Sequence, residues 1–498
     1  MSLTDHLLIE IGTEELPPKS IQKFAQAFAN SVQEQLQQLS IAFEQVDAFA
    51  TPRRIAIRVN DLMLKQPDTQ QQRLGPAVAA AIKDGKPTPA ATGFARSCGV
   101  TFEELEHIAT DKGARLGYEV KTQGLPTKNF IEDIVNQAIN KFPIPKAMRW
   151  GNSDETFSRP IHWIVALLGS ETLPITVKGL VASNVSYGHR FHAPEAMMLT
   201  SPTAYEEQLE KAFVIASFEK RQAIIQQQVA AIAKEKNVTI VTEPDLLDEV
   251  TALVEWPVAL LGSFDAEFLE VPRECVVSSM AEHQKYFHVT DAKGELQPLF
   301  VTVANIESKD PQAIIDGNEK VVRPRLADAK FFFTSDQKTS LEARLEKLKN
   351  IVFQAKLGTL YDKTERLQKL AITLAEQFKH TTAANVETLQ RAALLSRCDL
   401  VTDMVGEFPE LQGIMGAYYA KAQNETAAVA EALEDVYRPR FAADALPRSL
   451  ESSVLAIADR LDTLVGIFGI KQAPTGAKDP FGLRRAALGI IRISIENQ

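Results

Sequence analysis

Arginine and lysine set beside aromatic rings are the residues of this sequence best suited to chemistry, because such groups favour phosphate contact and base stacking. Arg53, Arg54 and Arg58 lie in TPRRIAIRV, near the junction of two strand-like segments. In KAMRWGNSDETFSRP, Lys146, Arg149 and Arg159 surround Trp150. Arg323 and Arg325 flank Pro324 in VVRPRLADAKFFF, and His189 and Arg190 sit in YGHRFHAPE. Together these clusters point to RNA. The competing reading is that the cations solvate a surface or pair internally with Asp and Glu.

Other groupings argue less. His189 and His192 could share a helical face, but Gly188 and Pro194 favour a loop or strand, where alternate side chains diverge. A structural or RNA-facing role is therefore preferred to a metal site, and His283 and His288 pair no better. Glu10, Glu14 and Glu15 could do acid–base work, yet carboxylates ahead of a helix are already favoured by its dipole. The sequence has no GxxxxGK[ST], no GxGxxG after a strand, no HExxH and no GxSxG, which removes the commonest ATP and dinucleotide sites. Cys98, Cys275 and Cys398 are far apart and form no CxxC pair, so the expected setting is the reducing cytoplasm, with inert thiols.

One constellation is sharper. Cys398-Asp399 falls in a helical stretch, with Asp459 and Asp462 about sixty residues later in another. A His, then His-Asp, then a distant Asp is the ligand layout of HD-domain phosphohydrolases. Here Cys398 replaces the second His, no His lies near Asp362, and His380 falls at a helix end. Without nitrogen ligands a borderline metal loses most of its affinity. The preferred reading makes Asp399, Asp403, Asp459 and Asp462 caps, ion pairs or interhelical hydrogen bonds. A metal-dependent HD phosphohydrolase and a scaffold without RNA contact are the alternative functions.

The elements that must position these residues follow from periodicity. LLIEIG reads as a strand ending at Pro17-Pro18. Ile21, Phe24, Phe28, Val32, Leu36 and Leu39 then form one helical stripe. VDAFATP and RRIAIRVNDL read as strands, residues 66–100 as loop with short helical pieces, and 161–168 as a buried strand. Residues 205–236 read as helix, and 253–261 and LFVTVANI as strands. From about 338 the pattern is helical, with Leu341, Leu345, Leu348 and Val352 on one stripe. The expectation is a multidomain α+β chain. Mixed regions at 1–195 and 196–337 precede an all-helical, HD-like domain at 338–498.

With 498 residues, the chain exceeds one ordinary core. At 45% hydrophobic and 24% charged it is globular, and no apolar run is long enough to span a membrane. Its net charge of −10 argues against a wholly basic surface but allows a local basic face. The start, MSLTDHLLIEIG, lacks the basic region of a signal peptide.

Longer blocks carry a resemblance. LLIEIGTEELPP, ATPRRIAIRV, FSRPIHWIVALLG, YGHRFHAP, EKVVRPRLADAKFFF, SRCDLVTDMVGEFPELQG and KDPFGLRRAALGIIRI are similar, in order, to signature blocks of the bacterial glycyl-tRNA synthetase beta subunit. The similarity runs from residue 7 to about 493. The resemblance implies an α2β2 enzyme in which the alpha subunit holds the catalytic core, ATP and Mg. The beta subunit then holds tRNA(Gly) and binds no cofactor itself. It also implies an HD-like helical domain and a C-terminal anticodon-binding domain, before which this sequence is expected to stop.

Overall fold

LLIEIG forms β1 (Thr4–Thr13), the centre of a five-stranded antiparallel sheet. Its other members are β2 (Gln45–Thr51), β3 (Arg54–Met63), β4 (Ile161–Leu168) and β5 (Glu171–Thr172), in the order β5-β4-β1-β3-β2. The structure is a computed structural model that describes residues 3–83, 86–111, 113–378, 384–476 and 478–496. His380 lies outside the described residues.

Alternation along the strands makes two different faces. Leu7, Ile9 and Ile11 of β1, with Ile55, Ile57 and Val59 of β3, point into one core. That core is covered by α1 (Pro18–Gln38) and α2 (Lys128–Asn140). The predicted stripe of α1 is buried from Ile21 to Leu36, and Leu39 is half-buried. Burying each such large apolar side chain is worth about 1.5–3 kcal/mol. The opposite face carries Leu8, Ala56, Trp163, Val165 and Leu167, packed with Tyr205 and Leu209 of α3 (Tyr205–Lys211) and with Val214. Gly12 is required here, because a Cβ would lie 1.8 Å from the Trp163 ring.

Residues 66–100, expected to be mostly loop, contribute a strand at Thr69–Ala77 to a separate three-stranded sheet and a helix at Pro89–Cys98. The helical run at 205–236 is broken between α3 and α4 (Phe218–Lys236), where Phe213 takes a φ of 59°.

The chain forms two compact units. The first contains residues 1–231, 243–259 and 303–309, and the second 232–242, 260–302 and 310–498. The boundary expected near residue 338 therefore falls inside the second unit. Its physical reason is a shared core: Phe264, Met280 and Leu326 pack in one cluster with Leu395, Leu433 and Leu455.

The stretch after 338 is not wholly α-helical. Residues Glu342–Asn350 form a 3-10 helix, and Val352–Gln354 pairs with Gly358–Thr359 as a two-stranded ribbon. Leu341 and Leu348 are buried, but Val352 is exposed because the helical stripe has already ended. The fold is mixed α/β with small antiparallel sheets. Later sections use α5 (Pro311–Asp336), α6 (Leu360–Phe378), α7 (Leu450–Gly469) and α8 (Leu483–Glu496). Among the described residues no helix is long and apolar enough to cross a membrane.

Candidate nucleic-acid interface

Arg53 and Arg54 are neighbours with opposite fates. Arg54 is the first residue of β3 and shares a face with Ala56, beneath the layer that includes α3. Its side chain is fully buried, 3.4 Å from both Glu10 and Glu255. Its Nη2 donates to the Tyr187 carbonyl at 2.7 Å and its Nη1 to Ser186 Oγ at 3.2 Å.

Glu10 in turn accepts from Trp163 Nε1 and Ser186 Oγ, both at 2.5 Å, and from the Tyr205 hydroxyl at 2.6 Å. Thr51 Oγ1 donates to Glu255 at 2.7 Å. Burial alone would lower the Arg54 pKa, but the Glu255 and Glu10 carboxylates outweigh it and raise it. The charge is locked. Arg54 cannot present itself to RNA, and that expectation is corrected.

Arg53 precedes the strand and escapes this network. Its guanidinium lies 5.9 Å from the centre of the Trp163 ring, and its Nε is without a hydrogen-bond partner. Among the described residues it makes no ion pair. Burial, with the Arg54 and Arg190 charges, lowers its pKa even though Glu255 and Glu14 pull the other way.

The same end of the sheet gathers two further candidates. The Thr13 amide donates to the Arg53 carbonyl at 2.8 Å, and the Glu14 amide to the Pro160 carbonyl at 3.0 Å. Arg159, just before β4, donates to its neighbour's carbonyl and makes no ion pair among the described residues. Arg190 is 42% exposed and meets Glu14 at 2.8 Å and Glu15 at 3.6 Å. The hydrogen bond from Arg190 is the main cause that holds the Glu14 carboxyl below its ordinary range.

The remaining candidates scatter. Arg58 is mostly buried and held by Asp47 at 2.8 Å and Glu206 at 3.3 Å. Lys146 and Arg149 are exposed, and Arg149 meets Asp154 at 3.2 Å. Arg323 and Arg325 project from α5, which runs through Pro324 unbroken, and reach Asp265 at 3.4 Å and Glu407 at 3.7 Å.

His189 is also corrected. It is fully buried, its Nε2 lies 2.6 Å from the Asn305 carbonyl, and its Nδ1 accepts from the amides of Phe191 and His192. That pattern assigns the Nε2–H tautomer, and burial lowers its pKa. His189 braces a loop.

In the second unit an ammonium sits between the two distant aspartates, Asp459 and Asp462. Lys363 on α6 places Nζ 3.1 Å from both Asp459 and Asp462 of α7, and 2.9 Å from Thr463 Oγ1. Arg366 meets Asp462 at 2.6 Å, and Arg397 meets Asp459 at 2.5 Å. Asp399 stands apart on a 3-10 turn, accepting the Gly413 amide at 2.5 Å. Burial pushes its carboxyl up to about 6, against the Gly413 amide and Arg397. Burial likewise pushes the Cys398 thiol up to about 12. With both α7 carboxylates already neutralised, the phosphohydrolase reading loses its ligands. Sequence reasoning missed Glu255, Lys363 and Arg397 because their partners lie far along the chain.

Comparison with known proteins places the chain among aminoacyl-tRNA synthetase subunits. The family model described as "Glycyl-tRNA synthetase beta subunit" matches residues 7–498. The chain is 52% identical over 490 residues to the "Glycine--tRNA ligase beta subunit" of Chromohalobacter salexigens, covering 98% of this chain and 71% of that relative. It is 50% identical to the proteins of the same description from Hahella chejuensis and Marinobacter nauticus, each match covering 99% of this chain and 71% of the relative. The chain belongs to the glycyl-tRNA synthetase beta-subunit family.

Proposed function

We propose that this chain holds tRNA(Gly) within a cytoplasmic α2β2 glycine–tRNA ligase while the alpha subunit performs the chemistry. The observation that carries the reading is the family match across residues 7–498. In this division of labour, glycine activation with ATP and Mg belongs to the alpha subunit. The missing nucleotide-binding loops support that assignment. On this chain, Arg53, Arg159 and Arg190 at one end of the sheet are the phosphate contacts, and Arg54 and Arg58 hold the strands beneath them. The helical part of the second unit is read as an HD-type arrangement whose metal position Lys363 has taken over.

The test is reconstitution. Purified alone, the chain should give no glycine-dependent ATP–pyrophosphate exchange. Mixed with the alpha subunit, it should support glycine attachment to tRNA(Gly). Exchange by the isolated chain would refute the division of labour, and failure to restore aminoacylation would refute the tRNA-holding role.

A further inference from the structure

Beside the Lys363 cluster lies a cleft of about 620 Å³, within the size range of small-ligand sites. Arg397, Arg440, Arg460 and Arg485 line it, with Tyr437, Phe441 and Phe481.

These cations are not equivalently paired. Arg440 meets Asp444 at 2.9 Å and Arg397 meets Asp459. Arg460 is buried and spends its Nη hydrogens on the carbonyls of Val436, Ala456, Tyr437 and Pro439, so its charge meets no carboxylate oxygen within ion-pair distance among the described residues. Arg485 is exposed and likewise makes no ion pair there. The lining carboxylate Asp459 already serves Lys363 and Arg397, and the other, Glu410, accepts from Ser278.

Arg397 and Tyr437 pack on each other in the wall, the guanidinium lying 4.6 Å from the centre of the Tyr437 ring. Arg397 Nε and the Tyr437 hydroxyl are buried without a hydrogen-bond partner, and the Arg397 residue is 7% exposed. Buried donors left unmade are rare in folded proteins. Phe441, 58% exposed, and the half-buried Phe481 add ring surface at the same cleft.

We propose that this cleft binds a nucleoside phosphate, with the phosphate among Arg485, Arg440, Arg397 Nε and the Tyr437 hydroxyl, and the base on Phe441 and Phe481. Arginine suits this task because its planar fork matches phosphate oxygens. Arg460 contributes charge and holds the 436–439 wall. Two sources supply the same chemistry, a free nucleotide or the 5′-phosphorylated end of an RNA. The assignment does not depend on the tRNA-holding reading.

Calorimetric titration of the purified chain with inorganic phosphate, AMP and a short 5′-phosphorylated RNA tests it, beside the same RNA lacking its phosphate. Saturable binding of AMP identifies a free nucleotide as sufficient. Binding of the phosphorylated RNA alone assigns the site to an RNA end. In either case Arg485→Ala should weaken binding about tenfold or more, since a charge-assisted hydrogen bond is lost. Phe441→Ala should weaken the nucleoside-bearing probes and leave inorganic phosphate unchanged. Both residues are exposed, so unchanged thermal melts will show that the variants fold. No saturable binding of any phosphorylated probe, or binding indifferent to Arg485→Ala, overturns the proposal.

Discussion

The two buried charge networks are built from the same ingredients and closed to different degrees. In the first unit, Arg54 sits between Glu10 and Glu255, and Trp163, Ser186, Tyr205 and Thr51 fill out those carboxylates. In the second, Lys363, Arg366 and Arg397 surround Asp459 and Asp462, but Arg397 Nε is left without a hydrogen-bond partner. A closed network can only specify structure. One with a buried donor left unsatisfied beside a cleft can also receive a ligand.

The largest effect should come from breaking the closed network. Removing one partner of a buried ion pair strands the other charges, at a cost of about 3–5 kcal/mol. Arg54→Ala should therefore lower stability by that amount in urea melts, before any tRNA is added. A loss below about 1 kcal/mol would show that the network is not the keystone of the sheet.

Next comes pH. The folded Asp399 carboxyl, pushed up to about 6, keeps its proton to higher pH than the unfolded group, whose ordinary value is about 4. The folded state then binds more protons between those values, so this group's contribution to stability falls as pH rises through that window. The whole step is about 3 kcal/mol. Melts of Asp399→Asn from pH 4 to 7 should show that decline flattened relative to the parent. Parallel curves would remove Asp399 from the account.

The smallest effect belongs to the exposed pairs. Arg323→Ala and Arg325→Ala each break a long, solvent-screened contact and should change stability by under about 1 kcal/mol. A greater loss in thermal melts would mean that α5 depends on those contacts.

Much of the frame was legible in the sequence, and the roles of the charges were not. Period-3.6 spacing predicted α1 because its stripe meets a sheet whose own period-2 alternation is equally plain. The same alternation puts Arg54 and Arg58 on one face. What closes over that face, α3 and Glu255, comes from residues 148 and more positions further along the chain, and no local pattern announces it. Adjacent arginines of identical type thus read alike while one is a core residue. Pro324, noted in the sequence only as the residue between two arginines, lies inside a helix that packs Val322, Leu326 and Ala329 into the core and carries on through it. Lys363 was invisible because a search for HD ligands looks for histidine, and its meaning depends on α7 lying alongside.

The most direct test is the contrast between Arg53 and Arg54, measured as tRNA(Gly) affinity of Arg53→Ala at several salt concentrations. Arg53, half-buried but without an ion pair among the described residues, is taken as a phosphate contact, so the variant should bind more weakly, with a log–log salt slope smaller by somewhat under about one unit. Parental affinity and slope in a normally folded Arg53→Ala protein would contradict the account.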